Sequence, residues 1–92
     1  MHTEVLIEED VRLDSIANKV SRLIVHNDDF NTFDWVIETL IVVCRHTPEQ
    51  AEQCTHIVHY NGKCQVKHGH RNIMERLCSA LIQRGLTASI EE

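Results

Sequence analysis

The segment His26–Thr32 contains the side chains of this sequence best suited to binding a charged ligand. Asn27, Asp28 and Asp29 place one amide and two carboxylates side by side, and Asn31 adds a second amide. Such acceptors suit an ammonium group, which has three donors and no acceptor and is costly to remove from water unpaired. Asn and Asp are also common in turns and at helix N-termini. The segment therefore indicates either an acceptor-rich site or a capped turn.

A second candidate is His59, in the segment Ile57–Tyr60 near the end of a predicted helix. A neutral imidazole nitrogen can accept a hydrogen bond from a ligand. A histidine in the last helical turn can equally cap carbonyl groups and interact favourably with the helix dipole. In a chain with seven histidines, the capping interpretation is favoured for His59 considered alone.

The composition is that of one small globular domain. The chain has 92 residues, 42% hydrophobic and 25% charged, with a net charge of −5. Nucleic-acid binding is disfavoured because the sequence has no basic face. Apolar runs fall short of the roughly 18 residues that span a bilayer, and Met1–Glu4 does not resemble a secretory signal. We expect a cytoplasmic monomer without a membrane segment.

Residues 1–20 differ from the rest of the chain. Residues 1–14 contain five carboxylates and one arginine, and no hydrophobic period is sustained. We predict a flexible acidic N-terminal tail over residues 1–20 and a folded domain over residues 21–92.

Two kinds of signal, helix-start residues and hydrophobic periodicity, predict the order strand, helix, helix, strand, helix, strand. Asn31 is the expected N-cap of the first helix, Thr47 precedes Pro48 at the start of the second, and Gly85 follows the third. The strands are expected at residues 22–26, 63–67 and 86–90, with residues 69–70 breaking the second. This pattern predicts an α+β fold, a three-stranded antiparallel sheet with three helices packed on one side.

The four cysteines are expected to be reduced core residues, because most lie at apolar positions and no secretory signal is evident. A dense Cys/His region raises a zinc site as an alternative; it comprises Cys54, His56, His59, Cys64, His68 and His70. Zinc sites favour Cys-x₂₋₄-Cys and His-x₃₋₅-His pairs, and this region lacks the usual spacing. We therefore expect neither a metal nor a cofactor.

Considered together, the two candidate segments resemble the ClpS family, adaptors of the Clp ATPase–protease. Residues 27–37 resemble its Asn-Asp-Asp-aromatic-Thr motif and following apolar helix, and residues 51–62 resemble a second motif with Val-His before a Gly turn. The resemblance covers roughly residues 20–92. It implies an adaptor, not an enzyme, that binds proteins whose free first residue is Leu, Phe, Tyr or Trp.

The resemblance also implies a role for each matching residue. Asn27, Asp28 and His59 correspond to the family's α-amino-binding positions, and Asp29 supports the same acidic lip. The hydrophobic pocket is implied at five further positions, which are Asn31, Phe33, Val36, Val58 and Leu86. Phe33 stands where many members have Met, so the preference for the first residue is expected to differ.

The implied partners are the N-terminal domain of a Clp-type AAA+ unfoldase and the N-degron substrates delivered to it. The acidic tail is expected to take part in that delivery. Asn72 and Leu77 replace an acidic and basic pair that many members present to the ATPase. Two rival functions stay open at this point: a generic interaction module like the C-terminal domain of the ribosomal stalk protein, and a metal-binding regulator.

Overall fold

A computed structural model describes residues 19–92. The predicted order of elements is confirmed, with bounds β1 Val20–His26, α1 Phe33–Cys44, α2 Pro48–Asn61, β2 Lys63–His70, α3 Arg71–Gln83 and β3 Thr87–Glu91. The predicted boundary between tail and domain at residue 20 lies next to the undescribed residues 1–18, so the tail itself falls outside the described part.

The three strands form one antiparallel sheet in the order β2-β1-β3, with the three helices on one side. The α+β class predicted from the sequence is therefore confirmed. In β1, Leu23 and Val25 are buried in the core, as expected for the side chains that alternate toward the helix layer. Their partners in β3, Ile90 and Ala88, pack against the same core.

The sheet contains a β-bulge at Val66. Leu23 pairs with Lys67 whereas the next residue, Ile24, pairs with Gln65, so Val66 is the extra residue on β2. Its carbonyl oxygen accepts a hydrogen bond from Nε2 of the buried His46, at 2.7 Å. His46 thus satisfies a backbone group that the bulge removes from the ladder.

The start of α1 differs from the sequence prediction. The N-cap is Thr32, whose Oγ1 accepts from the N–H of Trp35 at 3.1 Å, and not Asn31. The side-chain amide of Asn31 instead donates to Oδ2 of Asp28 in the preceding loop and to the carbonyl oxygen of Gly85. The cap of α2 is Thr47 followed by Pro48, as predicted.

The strand β2 is longer than predicted. It continues through Gly69 to His70, where residues 69–70 were expected to break it. Pairing explains the extension, since Ser21 and Val20 of β1 lie opposite Gly69 and His70. The sequence prediction began β1 at residue 22, so it did not include the two residues of β1 that pair with this end of β2.

All four cysteines are free thiols. Burial raises the pKa of Cys44 to about 11, and burial together with the neighbouring Cys54 raises that of Cys64 to about 12. Both thiols are therefore protonated at neutral pH and weakly nucleophilic. Among residues 19–92, no helix has the length and apolar character to cross a membrane.

Candidate functional site

A cavity of about 230 Å³ opens between the loop after β1, the start of α1 and the last turns of α2. Nine residues line it: Asn27, Asp28, Asp29, Asn31, Phe33, Val36, Thr55, Val58 and His59. The structure thus brings eight of the nine site residues predicted from the sequence into one pocket. A cavity of about 150 Å³ already holds a benzene molecule, so this one has room for a large side chain.

The rim of the pocket is organised by the carboxylate of Asp28. Its Oδ1 accepts from the backbone N–H groups of Phe30 (2.9 Å) and Asn31 (2.8 Å), and its Oδ2 accepts from Asn31 Nδ2 (2.8 Å). The other hydrogen of Asn31 Nδ2 is donated to the carbonyl oxygen of Gly85, at 2.8 Å. The loop is therefore fixed both to itself and to the turn that precedes β3.

These hydrogen bonds favour the ionised form of Asp28. Partial burial would raise the pKa of Asp28, but the donors on Asn31 and Phe30 together lower it below its ordinary value of 3.8. Hydrogen bonds to the ionised form stabilise that form. Asp28 is therefore ionised at neutral pH, and its charge lies on the lining of the pocket.

Two further rim residues, Asn27 and His59, lie on different elements, the loop after β1 and the last turn of α2. The backbone N–H of Asn27 donates to the carbonyl oxygen of Gly62 at 2.8 Å, which joins the loop after β1 to the end of α2. Gly62 has φ of 91°, a left-handed conformation that glycine adopts without a steric cost. This turn brings His59, in the last turn of α2, to the same rim as Asn27.

The His59 ring lies beside two other aromatic rings. Its centroid is 6.4 Å from that of Phe33 and 5.1 Å from that of Tyr60, both edge-to-face. Phe33 in turn packs edge-on against His56, with centroids 4.7 Å apart. Within residues 19–92, no side chain or backbone group forms a hydrogen bond with the His59 imidazole, so its nitrogens can receive a ligand.

The floor of the pocket is formed by three buried side chains. Val36 and Val58 are 8% and 4% exposed, as expected for apolar walls, and Thr55 is 3% exposed. Thr55 is not among the site residues predicted from the sequence. A threonine within an amphipathic helix is a weak signal, and only the crossing of α1 and α2 places it in the pocket.

Two other side chains lie outside the cavity lining. Leu86 is buried in the core and does not line this cavity, so its role as a wall stays a prediction. Trp35, on the first turn of α1, is half-buried. Its Nε1 donates to the carbonyl oxygen of Arg84 at 2.9 Å, and the Arg84 guanidinium lies over the ring at 4.6 Å.

The Cys/His region does not assemble a metal site in the described part of the chain. No group of three or more His, Cys, Asp or Glu side chains there is arranged to hold a metal ion. Cys64 faces the core from β2, whereas His56 is exposed on α2. The fold therefore brings Cys54 beside Cys64 but leaves His56 on the exposed face of α2.

Comparison with known proteins adds an independent observation. Residues 17–89 match the sequence model of a family described as "ATP-dependent Clp protease adaptor protein ClpS". A ClpS adapter protein of Nitratidesulfovibrio vulgaris (strain Miyazaki F) is 40% identical over 60 residues, which are 65% of this chain and 56% of that protein. The chloroplastic adapter CLPS1 of Chlamydomonas reinhardtii is 32% identical over 73 residues, 78% of this chain and 45% of that protein.

A solved structure shows the same fold. The Agrobacterium tumefaciens protein ClpS2, bound to L-phenylalaninamide, has a TM-score of 0.73 to this chain at 22% identity. The match covers 80% of this chain and 96% of that one. The chain spans about half the length of the two curated relatives named above.

Proposed function

This chain belongs to the ClpS family of Clp protease adaptor proteins, and on that premise we propose that it binds proteins by their first residue. The ligand is a free α-amino group on a residue with a bulky apolar side chain: Leu, Phe, Tyr or Trp. The bound protein is then delivered to a Clp-type AAA+ ATPase–protease for degradation.

The observation that carries this proposal is the combination of a charged rim with a small buried floor. Asp28 presents an ionised carboxylate at the mouth, while Val36 and Val58 form an apolar interior. The first residue of a polypeptide has the matching chemistry, since a cationic amine and a side chain are joined at one carbon atom. Internal residues lack the amine, so the rim excludes them.

The amine is recognised by three rim residues in this proposal. Asp28 supplies the negative charge, the Asn27 side chain supplies an amide oxygen, and His59 supplies a neutral nitrogen. An α-ammonium group donates three hydrogen bonds, which these acceptors can satisfy together. Asp29, exposed on the same rim, adds negative potential without a direct contact.

The side chain contributes affinity through burial. An apolar side chain transferred from water into the pocket gains about 1.5–3 kcal/mol. Selectivity for the free amine should be sharper, because rim groups that lose their partner are left desolvated and unpaired. Acetylation of the α-amino group removes its charge and most of its donors.

The proposal is tested by binding of peptides that begin with Leu, Phe, Tyr or Trp, measured by calorimetry. The free peptides should bind, and their N-acetylated forms should lose most of the affinity. Asp28→Ala and His59→Ala should each abolish binding. Asp34→Ala is a matched control on the first turn of α1, outside the pocket, and should bind normally. Equal affinity for free and acetylated peptides would contradict the proposal.

Delivery is the second part of the proposed function. We expect the partner to be the N-terminal domain of a Clp-type AAA+ unfoldase, with a cytoplasmic, monomeric adaptor whose acidic residues 1–20 act in the transfer. Removal of residues 1–18 should leave peptide affinity unchanged and reduce ATP-dependent degradation of a substrate beginning with Phe. Degradation at an unchanged rate would show that this segment has no part in delivery.

A further inference from the structure

Thr55 is the one polar residue among the three buried side chains that line the pocket in the described chain. With 3% of its surface exposed, it lies as deep as Val58 at 4%. A hydroxyl group in an apolar floor is costly unless it forms hydrogen bonds. Its partners therefore determine what the floor can recognise.

The hydroxyl hydrogen of Thr55 is already used. Oγ1 donates to the carbonyl oxygen of Ala51, one turn earlier in α2, at 2.7 Å. A threonine hydroxyl has one hydrogen and two acceptor lone pairs. Within residues 19–92, no group donates a hydrogen bond to this oxygen. The bond to Ala51 thus holds the side chain, and a group in the pocket that reaches Oγ1 finds an acceptor and no donor.

We propose that Thr55 Oγ1 is a hydrogen-bond acceptor at the pocket floor that favours first residues with a donor at the end of an aromatic side chain. This inference rests on the proposed function. Among its four first residues, it ranks Tyr and Trp above Phe and Leu in affinity. Tyrosine brings a phenolic O–H and tryptophan an indole N–H. Both groups usually require a partner when buried.

The geometry of a bound first residue places that donor at the floor. Its α-amino group is held at the rim by Asp28 and His59, so the side chain extends inward toward Thr55. A floor made only of valines would leave a tyrosine hydroxyl unpaired, which disfavours tyrosine relative to phenylalanine. An acceptor at this point makes tyrosine the better ligand. The tyrosine hydroxyl donates a hydrogen bond to Thr55 Oγ1, whereas phenylalanine leaves this oxygen without a donor.

The test compares peptides that differ only in Tyr or Phe at position one, with wild type and Thr55→Val. Valine replaces the hydroxyl by a methyl group of similar size. We expect the Tyr peptide to bind about threefold to tenfold more weakly to Thr55→Val, while the Phe peptide stays within about twofold. The ratio of the two affinities is the readout, because it is insensitive to a general loss of folded protein.

Three controls make the result decisive. Thr55→Ser retains the hydroxyl and should keep the wild-type ratio. Thr39→Val removes another buried hydroxyl, which accepts from Arg84 Nε outside the pocket, and should also keep it. Should Thr55→Val fold poorly, Thr55→Ala must show the same selective loss of the Tyr peptide.

The outcomes separate this inference from the proposed function. An unchanged Tyr-to-Phe ratio in both Thr55→Val and Thr55→Ala, with both peptides still bound, overturns the acceptor role and leaves the pocket intact. Absence of binding for both peptides in the wild type overturns the proposed function itself, and this inference with it. A ratio that changes equally in Thr39→Val would show a general packing effect and also overturn it.

Discussion

Asn31 holds the carboxylate of Asp28 through two hydrogen bonds of 2.8 Å, one from its backbone N–H to Oδ1 and one from Nδ2 to Oδ2. The same Nδ2 donates to the carbonyl oxygen of Gly85. Asn31 is thus a positioning residue for the charge at the pocket rim, and it connects that rim to the turn after α3.

Replacement of Asn31 by Ala should weaken binding of a free Phe peptide roughly fivefold to thirtyfold, or about 1–2 kcal/mol. The variant keeps the backbone bond but loses the bond from Nδ2 to Oδ2 of Asp28, so the carboxylate is less constrained. Its pKa, followed by NMR, should rise toward the ordinary value. Thr32→Ala is the matched control, since it removes the N-cap of α1 at a cost of about 1 kcal/mol in stability without touching Asp28. Weakened binding in both variants to the same extent would contradict the positioning role.

The depressed pKa of Asp28 predicts how stability depends on pH. Because the folded-state pKa lies below 3.8, the contribution of this carboxylate is complete above that value and is lost as pH falls through the folded pKa. The difference in unfolding free energy between wild type and Asp28→Asn should therefore be constant from pH 8 to about pH 5 and shrink below about pH 4. Urea denaturation at each pH measures it. A constant difference down to pH 2 would contradict the hydrogen-bond assignment.

Phe33 should set the preference between aromatic and aliphatic first residues. Its ring lines the pocket beside His59, where an aromatic ligand can pack against it. Aromatic pairs contribute about 0.5–1.5 kcal/mol beyond burial. Phe33→Leu should thus shift the Phe-to-Leu affinity ratio about twofold to tenfold toward Leu. Phe30→Leu, at a ring that is 93% exposed and outside the lining, should leave the ratio unchanged.

His46 should be required for stability through the bulge at Val66. His46→Phe keeps a ring of similar size but leaves the Val66 carbonyl oxygen buried without its donor. We expect a loss of about 1–3 kcal/mol in unfolding free energy, measured by urea denaturation. His68→Phe, on the exposed part of β2, should change it by less than about 0.5 kcal/mol. If His46→Phe lost less than about 0.5 kcal/mol in unfolding free energy, the proposed role of His46 at the bulge would be wrong.

Much of the fold could be predicted from local patterns. The apolar, β-branched run that ends at His26 and the Thr47–Pro48 helix start depend on nearby residues, and both elements were placed correctly. The end of β2 could not be placed, because Gly69 breaks an isolated strand and is retained here only by pairing with Ser21. The sequence contains no local signal of that partner.

The candidate site shows the same division. Asn31 and Thr32 are both good N-caps, and the choice between them depends on a hydrogen bond to Gly85, which is 54 residues away in sequence. Thr55 was missed for a similar reason, since its place in the floor depends on the packing of α2 against α1. The N-cap of α1 and the position of Thr55 in the pocket thus depend on contacts between residues far apart in sequence, which local propensity does not reveal.

The hydrogen bond between Asn27 and Gly62 has a consequence for the time course of recognition. This bond and those around Asp28 hold the rim together through contacts within the chain, so we expect no loop to become ordered during binding. Arrival rates should then lie in the ordinary range of about 10⁵–10⁷ M⁻¹s⁻¹ and differ little among first residues. We therefore expect differences in affinity among first residues to lie in the dissociation rate, so that a weakly bound substrate dissociates sooner.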